Sequence, residues 1–328
     1  MKAVVCTRYG APEVLKLQQV AMPEPGPGEI RVKVMTTTVT VADFRVRSMT
    51  VPKPFGLVMR FVLGFRKPRN PILGMEIAGV VDQVGAQVTR FKVGDKVMGP
   101  TLKGFGGYAA YRVFKSTDPL VHLPTNYSFR QGAALPVGAR TALHYLQKVE
   151  LKKGEHILVY GASGSVGTYT VQLAKHLGAE VTAVCSGKNA EWVKALGADR
   201  VLDYTAPRFE EQLRTYDVLF IAVDQWPEAA CLPYLKKGGR YTNITRMFIA
   251  PRWAWKARKA GQKMVLAGSP PETLAFMEEV KALAEKGVFR PVLDCDYPLE
   301  DIRKAHHHVD QGHKKGNVTI TVHPETLL

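Results

Sequence analysis

One glycine-rich turn in the 328-residue sequence combines residue types and spacing suited to a definite chemistry. It spans 161–167 (GASGSVG), after the short apolar run 156–160 and before the helical pattern 169–177. Glycines there let backbone amides approach a diphosphate, and the start of the following helix attracts its negative charge. Ala162 replaces the first glycine of GxGxxG. The order of strand, turn, helix and strand still predicts a dinucleotide site rather than a turn without ligand.

The residues after the next strand indicate which dinucleotide is bound. An NAD-binding chain carries Asp or Glu about 20 positions beyond the turn, where the carboxylate accepts from the ribose 2′-hydroxyl. This sequence has Ser186 and Lys188 instead. A hydroxyl donor and a cation suit a 2′-phosphate, so the sequence predicts NADPH. The alternative interpretation of Lys188 is a plain surface lysine before a helix.

The cysteines and histidines do not form a recognisable metal motif. The four cysteines (Cys6, Cys185, Cys231, Cys295) show no CxxC spacing, so we expect reduced, mostly buried thiols and neither a disulfide framework nor a structural zinc. Three adjacent histidines, 306–308, lie on an expected helix and point in different directions. We interpret them as a solvated or partly packed helix face.

Two patterns of secondary structure divide the chain. The first 120 residues alternate short apolar strands with glycines, as in a small bent β-barrel. From about residue 130, six short strands alternate with helical or loop segments, which predicts a parallel, doubly wound sheet. The end of the chain resumes with a helix, 272–286, and a strand, 317–322. We expect it to return to the first domain.

Seven further motifs carry a resemblance to a known family. They are 7–15 (TRYGAPEVL), 43–48 (DFRVRS), 73–79 (LGMEIAG), 90–97 (RFKVGDKV), 106–111 (GGYAAY), 135–142 (LPVGARTA) and 312–318 (GHKKGNV). With the glycine turn, they resemble the medium-chain dehydrogenase/reductase superfamily, in particular its zinc-free, zeta-crystallin-like quinone oxidoreductases. The resemblance implies an α/β fold in which a Rossmann NADPH-binding domain, 124–269, is inserted in a GroES-like β-barrel catalytic domain, 1–123 and 270–328.

The resemblance also implies which residues hold the cofactor. The diphosphate is expected at Ser163, Gly164, Ser165 and Val166, the 2′-phosphate at Ser186, Lys188 and Tyr204, and the nicotinamide beside Thr141, with Asn317 reaching the cofactor from the end of the chain. Lys315 is equally well interpreted as a phosphate partner or as a surface lysine.

Catalysis without metal is expected, because zinc-dependent relatives hold their metal with Cys and His at places that correspond here to Thr40, Met75 and Val137. A hydroxyl, a thioether and an alkyl group cannot replace thiolate and imidazole. Without a Lewis acid, hydride transfer to a quinone or an α,β-unsaturated carbonyl is easier than oxidation of a simple alcohol.

The expected substrate pocket consists of Thr40, Asp43, Arg45 and Tyr108. Either Thr40 or Tyr108 is expected to donate to the oxygen that gains charge, whereas Asp43 suits a structural role better. The sequence identifies no catalytic residue beyond these candidates, and solvent remains a possible proton source. The apolar segment 55–65, from Phe55 to Phe65, is either a lid or substrate wall or a packed structural wrap.

The charge of the chain leaves other functions open. Lysine and arginine exceed the acids by 45 − 29 = 16, which favours anionic partners. Alternatives are an enoyl-thioester reductase and an NADPH-binding sensor that touches RNA or an anionic membrane. The basic run 252–263 is better interpreted as a solvated helix face than as a nucleic-acid site. We expect a cytoplasmic protein without a transmembrane segment, and a homodimer formed through sheet edges at 239–244 or 263–267.

Overall fold

The computed structural model describes residues 1–50, 56–246 and 249–324. The chain folds into two compact units. Unit 1 comprises Met1–Val137, Glu272–Glu285 and Leu293–Leu328, and unit 2 comprises Gly138–Pro271 and Lys286–Val292. The boundaries expected from the family, 123/124 and 269/270, stay a prediction.

The strands of unit 1 form a mixed, mainly antiparallel sheet and a separate two-stranded ribbon. The sheet order is β14-β15-β3-β4-β5-β7, with β6 also paired to β3, and β1 pairs with β2. The strands are β1 (Lys2–Cys6), β2 (Leu15–Gln19), β3 (Glu29–Val39), β4 (Glu76–Val84), β5 (Lys96–Pro100), β6 (Tyr111–Lys115), β7 (Val121–His122), β14 (Leu293–Pro298) and β15 (Asn317–Thr321).

Alternation along β3 explains the core of this sheet. Ile30, Val32 and Val34 are fully buried on one side and pack in a cluster with Ile77 and Val81 of β4, as period-two side chains on one face must. The expected return of the chain end is present within unit 1, because β15 pairs antiparallel with β3.

Five helices accompany these strands, and a sixth runs on into unit 2. They are α1 (Val41–Ser48), α2 (Gly56–Leu63), α3 (Phe129–Ala133), α9 (Leu274–Glu285) and α10 (Ile302–Asp310), with α4 (Leu135–Lys148) continuing into unit 2. A capping box starts α1, in which Thr40 and Asp43 satisfy each other's backbone amides. Such a box satisfies donors that have no partner within the helix.

Unit 2 contains the six-stranded parallel sheet that the sequence predicts, so the α/β, doubly wound fold is confirmed. Its order, β10-β9-β8-β11-β12-β13, changes direction between β8 and β11. The strands are β8 (His156–Tyr160), β9 (Glu180–Cys185), β10 (Arg200–Asp203), β11 (Tyr216–Ile221), β12 (Leu235–Asn243) and β13 (Lys263–Val265), and the helices are α5 (Ser165–His176), α6 (Ala190–Ala195), α7 (Glu228–Cys231) and α8 (Pro251–Lys259).

One expectation about the sheet edge was wrong. Segment 239–244 was expected as an edge, but it belongs to β12, whose backbone pairs with β11 on one side and with β13 on the other. A strand that pairs on both sides has no free backbone row for another chain. The edges of this sheet are β10 and β13, so only segment 263–267 falls at an edge.

The cysteines are free thiols, as expected. Cys6, Cys185 and Cys231 are buried and Cys295 is half-buried. Burial raises the pKa of the thiol to about 11 for Cys6 and Cys185 and to about 12 for Cys231. Within the described ranges, no helix has the length and apolar character needed to cross a bilayer.

Candidate functional site

The glycine turn lies at the carboxyl end of β8, in the middle of the parallel sheet. Gly161 has φ +83°, a left-handed conformation in which a side chain is strained. The amides of Gly161 and Ala162 both donate to the Val184 carbonyl at 3.0 Å. The turn is therefore held against β9, and it reverses the chain directly into α5.

The start of α5 fits a diphosphate. Gly164 is the N-cap residue and supplies no side-chain cap, so backbone amides at the helix mouth are oriented toward an incoming anion. A Cβ on Gly167 would lie 2.2 Å from the Gly161 carbonyl oxygen, whereas a Cβ on Gly164 would meet its nearest atom at 3.5 Å. The glycine at 167 is required by packing, and the glycine at 164 leaves open space where a ligand can approach.

Helix α4 packs against this mouth within unit 2. A Cβ on Gly138 would lie 2.6 Å from the Ser165 Oγ and 2.7 Å from the Tyr169 ring, so the glycine lets α4 approach the first turn of α5. Thr141 follows three residues later, on the same side of α4. This places Thr141 near the turn that contains the expected diphosphate residues Ser163, Gly164, Ser165 and Val166.

The three residues expected at the 2′-phosphate lie at neighbouring strand ends. Ser186 and Lys188 follow β9, and Tyr204 follows β10, with the Tyr204 amide donating to the Cys185 carbonyl at 3.2 Å. Lys188 is exposed, and Tyr204 is 37% exposed. The structure thus brings these three residues to one corner of the sheet.

Asp203 shares this corner and was missed by the sequence reasoning. Its carboxylate accepts from the Thr205 amide at 2.8 Å and from the Thr205 hydroxyl at 2.6 Å. Hydrogen bonds from Thr205 and from the Gly187 amide lower its pKa. Asp203 therefore fixes the loop between Ser186 and Lys188. Its position at the end of β10, parallel to β9, was the available signal.

A second group of polar side chains is buried in unit 1 around Asp43. The Thr40 hydroxyl and amide donate to Asp43 Oδ2 at 2.6 and 2.9 Å, and the Gly74 amide donates to Oδ1 at 3.0 Å. The Tyr108 hydroxyl lies near this carboxylate, and its interaction with Asp43 lowers the Asp43 pKa. Three of the four expected pocket residues, Thr40, Asp43 and Tyr108, thus form one network.

Burial governs the ionisation of this network. Asp43 is fully buried, and desolvation raises its pKa to about 6. Interactions with Thr40, Gly74 and Tyr108 oppose that rise. The same cause raises the pKa of Tyr108 well above its ordinary value and lowers that of His306 well below it. His306 is therefore neutral, with Nε2 lying 3.2 Å from the Tyr108 hydroxyl.

The other candidates of unit 1 differ in their burial. Arg45, the fourth expected pocket residue, is exposed on α1. Asn317 is buried at the start of β15. Phe55, at the start of the apolar segment 55–65, lies outside the described residues; the remainder of that segment forms α2 and the turn after it.

Two more ionisable side chains were not foreseen: Glu76, which is buried near Asp43, and the half-buried Lys314. Glu76 accepts from the Thr38 hydroxyl and from the Val137 amide, and burial raises its pKa to about 7. Burial lowers the pKa of Lys314 to about 8, although its charge interacts favourably with Glu76. Glu76 lies in an apolar run (73–79), and a charge in such a run was the signal that could have revealed it.

The three histidines of α10 do have different partners. His306 is completely buried, so the interpretation as a solvated or partly packed face was wrong for this residue. His307 lies 2.7 Å from Glu13, and His308 lies 2.7 Å from Asp294. Within the described part of the chain, Asp294, Cys295 and His308 are the one set of three possible metal-ligating side chains whose ligand atoms lie within 4.8 Å of one another.

The three positions expected to correspond to catalytic zinc ligands carry other groups in this chain. The Thr40 hydroxyl is engaged by Asp43, Met75 is buried with a thioether, and Val137 offers only an alkyl side chain. None of these side chains supplies the thiolate, imidazole or carboxylate that zinc requires.

Comparisons with known families agree with this architecture. Residues 26–125 match the model of the alcohol dehydrogenase GroES-like domain, and residues 196–320 match that of a zinc-binding dehydrogenase. A GroES-like barrel and a doubly wound sheet with a glycine turn define an oxidoreductase that binds a nicotinamide nucleotide.

Individual relatives narrow the assignment. The chain is 32% identical over 332 residues to a chloroplastic quinone-oxidoreductase homolog of Spinacia oleracea, covering 98% of each chain. It is 29% identical over 335 residues to a chloroplastic NADPH-dependent alkenal/one oxidoreductase of Arabidopsis thaliana, covering 98% of this chain and 79% of that one. A Pseudomonas syringae quinone oxidoreductase structure superposes with TM-score 0.79 at 26% identity, over 98% of this chain and 99% of that one. The chain belongs to the zeta-crystallin-like quinone oxidoreductase family of the medium-chain dehydrogenase/reductase superfamily.

Proposed function

We propose that the protein is a zinc-independent reductase that transfers hydride from NADPH to quinones or α,β-unsaturated carbonyls. The observation that carries this proposal is the uncapped start of α5, directly after the central strand β8. Two relatives, a quinone-oxidoreductase homolog and an NADPH-dependent alkenal/one oxidoreductase, support the acceptor class.

The choice of NADPH is supported by the corner formed by β9 and β10. Ser186 and Lys188 supply a hydroxyl and a cation for a 2′-phosphate. Asp203 is the carboxylate of that corner, and its oxygens already accept from Thr205 and Gly187. Because this carboxylate is occupied, it is less suited to bind a ribose hydroxyl than a free Asp at the end of β9 would be.

The reaction requires hydride donation by the nicotinamide and stabilisation of the negative charge that reaches the acceptor oxygen. Thr40 and Tyr108 are the two candidate donors to that oxygen. The Thr40 hydroxyl donates to Asp43, and the Tyr108 hydroxyl lies near the same carboxylate. Asp43 therefore acts as a positioning residue that orients both hydroxyls. Thr40, Met75 and Val137, at the positions that correspond to zinc ligands in relatives, are not suited to hold a Lewis-acidic metal. Hydrogen bonds therefore stabilise the negative charge on the acceptor oxygen.

A spectrophotometric assay tests the proposal. The purified chain is supplied with NADPH and, in parallel, with a short enone, an enal, a quinone and a crotonyl thioester. We expect NADPH to be oxidised either with the quinone or with both the enone and the enal. Preference for the thioester would instead indicate an enoyl-thioester reductase, and tight NADPH binding without turnover would indicate a sensor. Absence of binding to any nicotinamide nucleotide by calorimetry would overturn the proposal.

Substitution at Lys188 tests the cofactor preference. We expect wild type to have a higher kcat/KM with NADPH than with NADH, and Lys188→Glu to lose at least about tenfold with NADPH only, since one charge-assisted contact is worth roughly 1.5–3 kcal/mol. Lys194→Glu, on the neighbouring helix α6, is the matched control and should keep the wild-type ratio. Equal efficiency with both cofactors in wild type would contradict the assignment.

Self-association and location complete the proposal. The edge strand β13 is available in unit 2, and relatives in the family commonly dimerise through this sheet, so a homodimer is proposed. A cytoplasmic location is proposed with it. Sedimentation velocity and fractionation of cells that produce the full chain measure these two properties.

A further inference from the structure

Helix α2 exposes an unusual apolar surface. Four of its side chains, and one just after it, are more than half exposed: Leu57 63%, Val58 55%, Phe61 56%, Val62 61% and Phe65 53%. None of the eight residues of α2 is buried. Exposed apolar residues are common singly, but a contiguous group of this size marks an interaction surface. Of the two interpretations of segment 55–65, a lid or substrate wall and a packed structural wrap, this exposure does not fit the second for the described residues.

These side chains lie on one side of the helix. At about 100° per residue, positions 57, 58, 61 and 62 fall within about 140° of arc. Phe65 continues the surface, because its ring contacts the Phe61 ring edge-on with centroids 5.0 Å apart. We call Leu57, Val58, Phe61, Val62 and Phe65 the α2 apolar face.

Contacts below the helix hold this face outward. The Tyr9 hydroxyl donates to the Gly64 carbonyl at 2.8 Å, and the Arg60 guanidinium lies over the Tyr9 ring at 5.7 Å. The Arg69 side chain donates to the Phe61 carbonyl at 2.6 Å. Because both the carbonyl end of α2 and the following turn are fixed, the helix cannot readily roll its apolar face into the protein.

The charge around the face has one sign. The sequence contains no Asp or Glu between Asp43 and Glu76, but it contains seven cations in that interval: Arg45, Arg47, Lys53, Arg60, Arg66, Lys67 and Arg69. Arg66, Lys67 and Arg69 are exposed directly after the helix. Arg47 pairs with Asp310, whereas Arg60, Arg66, Lys67 and Arg69 form no ion pair with any described residue.

We propose that the α2 apolar face docks on the surface of an anionic lipid bilayer. An apolar face beside exposed cations matches the interface between acyl chains and negatively charged headgroups, into which such helices insert about 5–10 Å. A net charge of +16 attracts the whole protein to the same surface. A second copy of the chain would bring identical cations together, which opposes self-association through this face.

The docking is reversible and depends on both components. One eight-residue helix inserts few apolar side chains, so the cations must add to the binding, and their effect is screened by salt. The proposal therefore requires anionic lipid, low to moderate salt and an intact apolar face at the same time.

Co-sedimentation of the full chain with vesicles tests the proposal. One set of vesicles is pure phosphatidylcholine and the other contains about 30% phosphatidylserine, which gives a membrane of negative surface potential. We expect binding to the second set at about 50 mM salt and a large loss at about 500 mM salt, where the Debye length falls to a few ångströms. No binding of wild type to the anionic vesicles at low salt would overturn the proposal.

Paired variants separate the two components. Phe61→Gln/Val62→Gln should lower the partition coefficient by at least about tenfold, since each change removes apolar area that inserts in the bilayer. Arg66→Gln/Lys67→Gln should lower it by at least about tenfold at low salt, at roughly fivefold per cation. The controls are Leu17→Gln/Val93→Gln, which are exposed apolar residues elsewhere in unit 1, and Lys152→Gln/Lys153→Gln. Both controls should bind nearly as wild type does.

Two other outcomes contradict the proposal. The first is that the Phe61→Gln/Val62→Gln variant still binds the vesicles while circular dichroism shows that all variants are folded. In that case α2 does not contact the bilayer. The second outcome is measured by sedimentation velocity. If wild type associates with itself and this variant does not, a second copy covers the face, and the lipid assignment is wrong.

Discussion

Asp43 and Glu76 keep their protons to higher pH in the folded protein than in the unfolded chain. Their pKa values are raised by burial to about 6 and about 7, above the ordinary values of 3.8 and 4.5. Between the ordinary and the raised value, the folded state binds more protons than the unfolded state. The free energy of unfolding therefore decreases as pH rises through this window.

Glu76→Gln should remove one part of this pH dependence. We expect the free energy of unfolding of the variant, relative to wild type, to increase by as much as about 3 kcal/mol between pH 4 and pH 8, because a shift of one pKa unit corresponds to about 1.4 kcal/mol. Urea unfolding at several pH values measures it. Glu210→Gln, an exposed residue, should show no such trend; a parallel response of both variants would contradict the assignment.

Tyr108→Phe tests whether this hydroxyl takes part in the reaction. We expect kcat for enone reduction to fall by about tenfold or more, as typical for removal of a positioned proton donor. The hydrogen bond from Tyr108 also lowers the Asp43 pKa, so the pH profile should move to higher pH in the variant. Tyr111→Phe is the matched control. An unchanged kcat and pH profile would exclude Tyr108 from the mechanism.

The spacing of residues contains the signal for part of this network but not for the rest. Thr40 and Asp43 are three positions apart, so a capping interaction between them follows from local geometry. His306 is 198 positions from Tyr108, and no local pattern reports such a contact. For the same reason, the interaction of Lys314 with Glu76 and the occupied carboxylate of Asp203 could be recognised only once the strands were in place.

At the scale of elements, two glycines at the start of α5, Gly164 and Gly167, have different roles. A side chain at 167 collides with backbone, since its Cβ would lie 2.2 Å from the Gly161 carbonyl oxygen, whereas one at 164 meets only an ordinary contact. Gly167 therefore preserves the fold, and Gly164 preserves access to the start of α5.

Two alanine substitutions separate these duties. Gly167→Ala should lower the free energy of unfolding by about 2–4 kcal/mol, in the range of overpacked or strained sites. Gly164→Ala should leave stability within about 1 kcal/mol but weaken NADPH binding at least about tenfold. Thermal unfolding and calorimetry measure the two effects. Equal loss of stability in both variants would contradict this division.

Apolar periodicity predicted the elements of unit 2 better than their arrangement. All six predicted strands are present, because each is a short apolar run between turn residues. The order of strands in the sheet is a property of long-range pairing, so segment 239–244 was mistaken for an edge. The apolar run at α2 was ambiguous for another reason: a short run of this kind has no decisive period, and its composition does not show whether it is covered.

At the scale of the whole molecule, the expected nucleotide contacts are concentrated in unit 2. Asn317 is the exception, since it belongs to unit 1. Family resemblance predicted the architecture because its motifs are distributed over nearly the whole chain. Composition predicted an affinity for anions but not its location, since net charge carries no positional information.

Hydrogen exchange with and without saturating NADPH should reflect this distribution. We expect slower exchange in 161–168 and 186–189, where amides face the ligand or support the loop that does. The ribbon formed by β1 and β2 should exchange at nearly the same rate in both conditions, since it lies in unit 1 and contains no expected contact. Uniform protection across both units would instead indicate global stabilisation by linkage.

The burial of the thiols affects how they would react with the proposed substrates. Quinones and enones are electrophiles that add readily to thiolates, so an enzyme that handles them risks arylation of its own cysteines. Three of the four thiols are shielded from solvent and ionise only at strongly alkaline pH, and the thiolate is the nucleophilic form. The fold thereby keeps these three cysteines inert toward Michael acceptors, the class of substrate proposed for this protein.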